Sequence, residues 1–303
     1  MKTLNGVLAL GVFLLAGCGG SSSTQKPTAA EGEISSTSAA TFKSSSGDQV
    51  ISTAQPKPDA GTLGANPSST RRSSPLMLIP EYRNIARFFR TDDCEPTKSS
   101  TTDADSDGIP AEATWTFSCD TTTGGGFTLT ASGSIAIKDG DDADKKSGFT
   151  FKINNVSFHI TGSIAGKSYD ITATITGDFA VTVSSTTITS SGNVQVSVSS
   201  DGKTTSFGYW GDVTATGTSA EDPFAAGTIT LDNWYRFELE STKYVLHITS
   251  TDLTYGSCTR EDGRTEVSLN GGKLTIVDGK PNTLTVTFNA ACTATWTYNG
   301  ETL

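Results

Sequence analysis

The most specific chemical pattern in the chain is a run of three aspartates at alternate positions, Asp103, Asp105 and Asp107, followed by Gly108. Carboxylate oxygens are the ligands that Ca²⁺ prefers, and alternate spacing in a tight loop turns them toward one point. Glycine after the third aspartate permits the sharp turn that closes such a loop. The pattern predicts a Ca²⁺ site, with a solvated acidic loop as the alternative.

The order Asp-x-Asp-x-Asp-Gly resembles the calcium loops of thrombospondin type 3 repeats and EF-hand-like sites over residues 103–110. The resemblance implies Ca²⁺ on four groups: Asp103, Asp105, Asp107 and the carbonyl of Ile109. An EF-hand loop would place a bidentate glutamate where Thr114 stands, and Glu112 lies close enough in sequence to substitute for it. We expect a structural ion with weak affinity, on the order of 10⁻⁴ to 10⁻³ M.

A second acidic run contains Asp139, Asp141, Asp142 and Asp144 and is followed by two lysines. It lacks the order of alternate aspartates followed by glycine that a calcium loop requires. We therefore interpret this run as a solvated hairpin turn rather than as a second ion site.

The first seventeen residues have the anatomy of a secretory signal. The apolar run Val7–Leu15 follows Lys2 and is shorter than the ~20 residues of a membrane-spanning helix. The sequence Leu15-Ala16-Gly17-Cys18 resembles the lipobox of bacterial lipoproteins. The resemblance implies cleavage before Cys18, diacylation of that cysteine, and lipid anchoring of the mature chain. Gly19 resembles the sorting pattern for the outer membrane, on its periplasmic or surface face.

Four cysteines remain after the proposed anchor: Cys94, Cys119, Cys258 and Cys292. An even number in an exported chain predicts two disulfides, and four cysteines allow three pairings. We favour Cys94 with Cys119 and Cys258 with Cys292, because each pair is local in the sequence. A zinc site is less favoured, since no two cysteines form a Cys-x-x-Cys pair.

Catalytic signatures are weak. His159 and His247 each stand between two apolar residues in an alternating run, which places both imidazoles on a polar sheet face. No nucleophile elbow, zinc-binding helix or phosphate-binding loop occurs in the sequence. Two aromatic pairs could expose one ring each for stacking on sugars: Tyr209-Trp210 and Trp234-Tyr235. We expect no catalytic residues.

Composition limits the class of protein. The chain has 303 residues, 35% of them hydrophobic, which is enough for one or two domains with an apolar core. Its formal net charge is −10. This acidic balance argues against nucleic acid or an anionic membrane face as the main ligand, since both require basic patches.

Composition also divides the chain. Residues 18–75 are dominated by Ser, Thr, Ala, Gly and Pro without apolar periodicity, which predicts a flexible tether with a root mean square reach of about 40 Å. Residues 76–303 form the predicted globular domain. Within it, apolar residues at three-to-four spacing after Pro80 predict one amphipathic helix over residues 80–90.

From residue 113 onward apolar residues alternate with Thr and Ser, as at Val156, Phe158 and Ile160. This pattern predicts an all-β domain, an antiparallel meander of ten to twelve strands with one apolar and one hydroxyl-rich face. The meander would form a sandwich or one strongly curved sheet. Four dipeptides mark hairpin turns: Asp139-Gly140, Asp201-Gly202, Asp232-Asn233 and Asp278-Gly279. Three glycines mark candidate β-bulges: Gly133, Gly162 and Gly177.

These features favour a non-enzymatic, lipid-anchored bacterial envelope protein that works by binding or as a structural component. The alternative is a carrier of a lipid or another hydrophobic ligand, with an open pocket lined by large apolar groups: Phe149, Phe151, Phe158, Phe179 and Val181. A third hypothesis is a carbohydrate-binding or carbohydrate-active protein with an exposed tryptophan beside two carboxylates. The expected partners are the membrane, through the lipid on Cys18, and an envelope protein or hydrophobic ligand.

Overall fold

The computed structural model describes only part of the chain. The described residues are 25–37, 39–40, 43, 97–99, 102–106, 109–122, 127–144, 147–164, 167–200, 202–220, 225–239, 242–259, 263, 265–291 and 293–303. The predicted signal peptide, Cys18 and the predicted helix at 80–90 lie outside them. Among the described residues, helical conformation occurs at 36–37, 39–40 and 43, and the amide of Ala39 donates to the carbonyl of Ser35.

The body of the protein is a single antiparallel sheet of thirteen strands, in which every strand pairs with its sequence neighbours. The strands are β1 (Thr97–Lys98), β2 (Glu112–Thr122), β3 (Thr128–Asp139), β4 (Phe149–Ile164), β5 (Lys167–Ser184), β6 (Thr187–Ser200), β7 (Lys203–Gly217), β8 (Gly227–Leu239), β9 (Thr242–Thr259), β10 (Thr265–Val277), β11 (Thr283–Phe288), β12 (Ala294–Tyr298) and β13 (Glu301–Thr302). The all-β meander is confirmed, and the strands form one open sheet rather than two packed sheets.

The register separates two faces. Between β4 and β5, Phe151 lies opposite Phe179, while the neighbouring Lys152 lies opposite Asp178. Directly opposed residues in an antiparallel pair point to the same side of a sheet, and successive residues point to opposite sides. Repeated across the strands, this alternation produces an apolar face and a hydroxyl face.

The apolar face carries the core. One buried cluster extends over β2 to β7 and a second over β7 to β12, and Tyr235 packs against both. Phe149 and Phe151 are each 2% exposed. Burial of a side chain of this size stabilises the fold by roughly 2 to 3 kcal/mol.

The sheet is irregular beside two of the three predicted glycines, but the extra residue lies in β4 each time. Residues 155–156 oppose Gly133 of β3, whose φ is 122°, and residues 154–155 oppose Thr176, next to Gly177 of β5. The third prediction is wrong, because Gly162 pairs in regular register with Tyr169. A Cβ on Gly162 would lie 2.3 Å from the ring of Phe127, so this glycine makes room for an aromatic side chain.

The predicted turns hold in part. Asp139-Gly140 and Asp278-Gly279 follow β3 and β10, and Gly202 lies in the connection between β6 and β7. Asp232-Asn233 is not a turn, because it lies in the middle of β8. There Asp232 is opposite Asp212 of β7 and accepts a hydrogen bond from His247 of β9, contacts that a local turn signal does not reveal.

The N-terminal segment, defined as the described residues between 25 and 43, packs against the sheet. Glu31 forms an antiparallel bridge with Val245 of β9, with N···O distances of 2.9 Å in both directions. Ala39 is fully buried in the second core cluster. This part of the predicted tether is therefore a component of the fold, because its backbone groups and small apolar side chains find partners on the sheet.

Candidate functional site

Three carboxylates meet at one end of the sheet. Asp103 and Asp105 come from the loop before β2, and Asp142 comes from the β3–β4 hairpin. One oxygen from each lies within 4.8 Å of the others. Asp103 and Asp142 are half-buried, and one carboxylate oxygen of Asp105 is inaccessible to solvent. Like charges this close repel one another, so a bound cation would relieve the repulsion.

Hydrogen bonds hold the two loops together. The amide of Ala104 donates to the carboxylate of Asp142 at 3.0 Å, and the amide of Ser106 donates to Asp103 at 2.7 Å. Ser106 has a φ of 62°, the left-handed conformation that turns the loop back on itself. The side chain of Ile109 is 1% exposed in the core, so an apolar anchor follows the acidic residues.

The cluster differs from the predicted ligand set. Asp103 and Asp105 are brought together as expected, whereas Asp107 lies outside the described residues. Glu112 is not one of the clustered carboxylates, because it begins β2 opposite Lys138. Asp142 takes the third position although its acidic run was interpreted as a solvated turn. Sequence spacing could not reveal this, since the contact joins residues 38 positions apart.

The remaining acidic residues of the hairpin stabilise the turn. Asp139 is 4% exposed and accepts hydrogen bonds from the Ser147 hydroxyl and the Asp141 amide. The carboxylate of Asp141 accepts from the amide of Ala143 at 3.1 Å. Such side-chain to backbone bonds are typical of aspartate in turns.

An aromatic cluster lies in the middle of the hydroxyl face, on β7, β8 and β9. Trp210 is opposite Trp234, and with Val245 these side chains form a small buried cluster. The guanidinium of Arg236 lies 5.1 Å from the ring centroid of Trp210. The His247 ring stacks on Trp234 with a centroid distance of 4.1 Å and an interplanar angle of 12°. The cluster is an aromatic patch on an otherwise hydroxyl-rich surface.

Charged groups border this patch. Asp212 lies opposite Asp232, and the ammonium of Lys26 is 2.8 Å from the first carboxylate and 3.5 Å from the second. His247 Nε2 is 2.6 Å from Asp232 Oδ1. Burial opposes ionisation of Asp232, but the hydrogen bond from His247 and the charge of Lys26 outweigh it and lower the pKa of Asp232. The hydrogen bond to Asp212 raises the pKa of Lys26.

Both histidines are placed as the alternation predicts. His159 pairs with Asp170 at 2.8 Å on the hydroxyl face, and His247 pairs with Asp232 there. Each imidazole therefore has a carboxylate partner from the adjacent strand. The arrangement stabilises the polar face, and no serine or cysteine nucleophile is hydrogen-bonded to either imidazole among the contacts of the described residues.

The aromatic pairs do not form a sugar platform. As expected, Tyr209 and Trp210 point to opposite faces. However, they are only 4% and 5% exposed, and Trp234 is 9% exposed. The expectation that one ring of each pair is exposed is wrong for Tyr209-Trp210. In the second pair, Tyr235 is half-buried against the core.

The large apolar groups proposed to line a carrier pocket are buried. Their exposed fractions are between 2% and 6%. Phe151 and Phe179 are direct cross-strand neighbours, and Phe179 also stacks with Tyr209 at 6.5 Å. A filled apolar face leaves no open concavity at these side chains.

Cys119 and Cys258 are both disulfide-bonded, and the predicted partners Cys94 and Cys292 lie outside the described residues. Cys119 is opposite Ala131 on the apolar face. In β9, Ser257 lies on the apolar face together with the buried Tyr255. The next residue, Cys258, therefore points to the hydroxyl face. Because these two cysteines are on opposite faces and seven strands apart, they cannot bond to each other.

No protein-family model matches this chain, and no curated protein or solved structure is significantly similar to it. Within the part of the chain that the structure describes, no helix has the length and apolar character needed to cross a bilayer.

Proposed function

We propose that this chain is a lipid-anchored bacterial cell-envelope protein whose exported domain has a non-enzymatic, structural or binding role. The observation that carries the proposal is the continuous thirteen-stranded sheet with a filled apolar face. Such a sheet provides a broad hydroxyl face, while the large apolar side chains on its other face are buried. An extended surface is what a scaffold or binding module requires.

The anchor is supported by the sequence. Leu15 to Cys18 resembles a lipobox, and the apolar run before it has the length of a signal segment. Disulfides are a feature of exported proteins, because the cytosol keeps thiols reduced. We propose the pairings Cys94–Cys119 and Cys258–Cys292. In the chain-entropy model, each would stabilise the fold by roughly 3 to 4 kcal/mol.

We further propose that Asp103, Asp105 and Asp142 bind Ca²⁺. Ca²⁺ takes oxygen ligands at about 2.3 to 2.6 Å, so two ligands on opposite sides of one ion are about 5 Å apart. The separation of at most 4.8 Å among the three carboxylates fits this limit. The ion would join the loop before β2 to the β3–β4 hairpin and stabilise that end of the sheet.

The carrier hypothesis is less favoured, because the side chains that would line its pocket are buried. The carbohydrate hypothesis is also less favoured, since Trp210 and Trp234 lie beside two carboxylates but are covered. Extraction of the purified domain followed by mass analysis distinguishes these functions. A stoichiometric acyl lipid or glycan would contradict the scaffold proposal.

The anchoring proposal is tested by mass spectrometry of the N-terminal peptide from the membrane fraction. We expect diacylglycerol on Cys18 and expect the Cys18→Ser variant to lose the modification. Cys119 is unsuitable as a control, because it is disulfide-bonded. Ser22→Ala, four residues away in the same Ser-rich run, is the matched control and should remain lipidated. A wild-type chain without lipid would contradict the proposal.

A further inference from the structure

The N-terminal segment runs from one face of the sheet to the other. Lys26 contacts Asp212 and Asp232 on the hydroxyl face. Glu31 lies in the plane of the sheet, paired with Val245 where β9 extends beyond the end of β10. Ala39 is buried on the apolar face. The segment therefore passes around the end of β10.

The hydroxyl-face contacts are electrostatic. The ammonium of Lys26 bridges two carboxylates that would otherwise repel each other across β7 and β8. Pro27, the next residue, is buried. Lys243 and Glu31 form a further ion pair at 2.8 Å. Exposed ion pairs contribute little singly, so their role here is to set the position of the segment.

Backbone contacts hold the middle of the segment. The amide of Gly279 donates to the carbonyl of Gly32 at 2.9 Å. Gly32 has a φ of 78°, and a Cβ there would lie 2.6 Å from the carbonyl oxygen of Lys243. Only glycine combines this backbone conformation with so close an approach.

The apolar-face contacts complete the attachment. Asp278 is 3% exposed and accepts a hydrogen bond from the amide of Ile34 at 2.6 Å. The hydroxyl of Tyr298 donates to the carbonyl of Ile34 at 2.5 Å. Ile34 also packs against the second core cluster. Both backbone groups of Ile34 are thus satisfied by the sheet.

Covalent geometry limits how far this attachment is from the proposed anchor. Seven residues lie between Cys18 and Lys26, so the two are eight residue steps apart, and a fully extended chain covers about 3.3 to 3.6 Å per step. The span between the two residues is therefore at most about 29 Å. This bound holds for any conformation of residues 19–25.

We propose that the N-terminal segment sets the distance between the sheet and the membrane, because it keeps Lys26, which contacts β7 and β8, within about 29 Å of Cys18. This inference rests on the proposed lipid anchor at Cys18. Because the chain joins the sheet at Lys26, the length of the connection is set by residues 18–26 and not by residues 18–75.

Two insertions of the same length test the proposal in the full-length, lipidated protein. Twenty Gly/Ser residues between Ser22 and Ser23 raise the root mean square reach of the connection from roughly 16 Å to roughly 29 Å. The same insertion between Gly64 and Ala65 lies after the attachment and is the matched control. Neutron reflectometry on a supported bilayer of phosphatidylethanolamine and phosphatidylglycerol measures the distance of the protein layer from the headgroups.

We expect the first insertion to move the protein layer outward by roughly 13 Å and the second to leave it in place. Equal outward shifts for both insertions, with Cys18 lipidated, would overturn the inference and leave the anchor intact. Mass analysis of the same samples separates the two proposals. An unmodified Cys18 would overturn both.

Discussion

The buried carboxylate of Asp278 accepts the backbone amide of Ile34, a residue 244 positions earlier in the chain. The same carboxylate accepts the amides of Lys280 and Asn282 and the side-chain amide of Asn282. One side chain therefore closes the β10–β11 turn and attaches the N-terminal segment. Two distant parts of the chain depend on a single charge.

Replacing Asp278 by Asn should weaken both contacts. The amide nitrogen cannot accept a hydrogen bond, and charge-assisted hydrogen bonds contribute about 1.5 to 3 kcal/mol each. We expect the free energy of unfolding to fall by about 2 to 4 kcal/mol, measured by urea denaturation. Asp252→Asn is the control, because Asp252 is exposed with a φ of 48°, a conformation that asparagine tolerates. Equal losses for the two variants would contradict this role of Asp278.

Stability should also depend on pH through the same residue. Burial opposes ionisation of Asp278, but the hydrogen bonds from Ile34, Asn282 and Lys280 outweigh it and lower its pKa below the ordinary value of 3.8. A lowered pKa gives stability that is complete above about pH 4 and is lost as the pH falls through the folded-state pKa. The Asp278→Asn variant should lose less stability than wild type in acid. If the urea midpoints of wild type and Asp278→Asn fell by the same amount between pH 6 and pH 2, this role of Asp278 would be refuted.

Alanine at Gly32 should release the N-terminal segment from the sheet. A Cβ there meets the carbonyl of Lys243, whereas Gly202, with a similar φ of 74°, has open space around it. Both substitutions carry the strain of a left-handed residue, about 1 to 2 kcal/mol. We expect only Gly32→Ala to lower the hydrogen-exchange protection of the Glu31 and Val245 amides. The same protection in both variants would show that the segment does not depend on this close approach.

Calcium should stabilise the protein through three carboxylates. For a dissociation constant near 10⁻³ M, 10 mM Ca²⁺ adds about 1.4 kcal/mol to the free energy of unfolding. Asp142→Asn should abolish this gain in a thermal melt of metal-free protein, as should Asp103→Asn. Glu112→Gln should retain it, because Glu112 is outside the cluster. If Ca²⁺ still stabilised Asp142→Asn but no longer stabilised Glu112→Gln, the ligand set expected from the sequence would be correct and the observed cluster would not be the site.

The two faces of the sheet follow directly from the sequence. Alternation of apolar and hydroxyl residues places Phe158 on one face and His159 on the other, without knowledge of any distant contact. Strand geometry has a period of two, so a local pattern determines which face each side chain occupies. Three of the four hairpin signals mark connections between antiparallel strands, whereas Asp232-Asn233 lies inside β8.

Tertiary structure alone decided which distant residues meet. Asp142 joins Asp103 because two loops at the same end of the sheet pack together. The segment around Ile34 attaches to the sheet because Asp278 and Tyr298 satisfy its backbone, although its composition is that of a tether. Composition describes what a segment can bury by itself. Hydrogen-bond partners 244 and 264 residues away depend on how the whole chain folds.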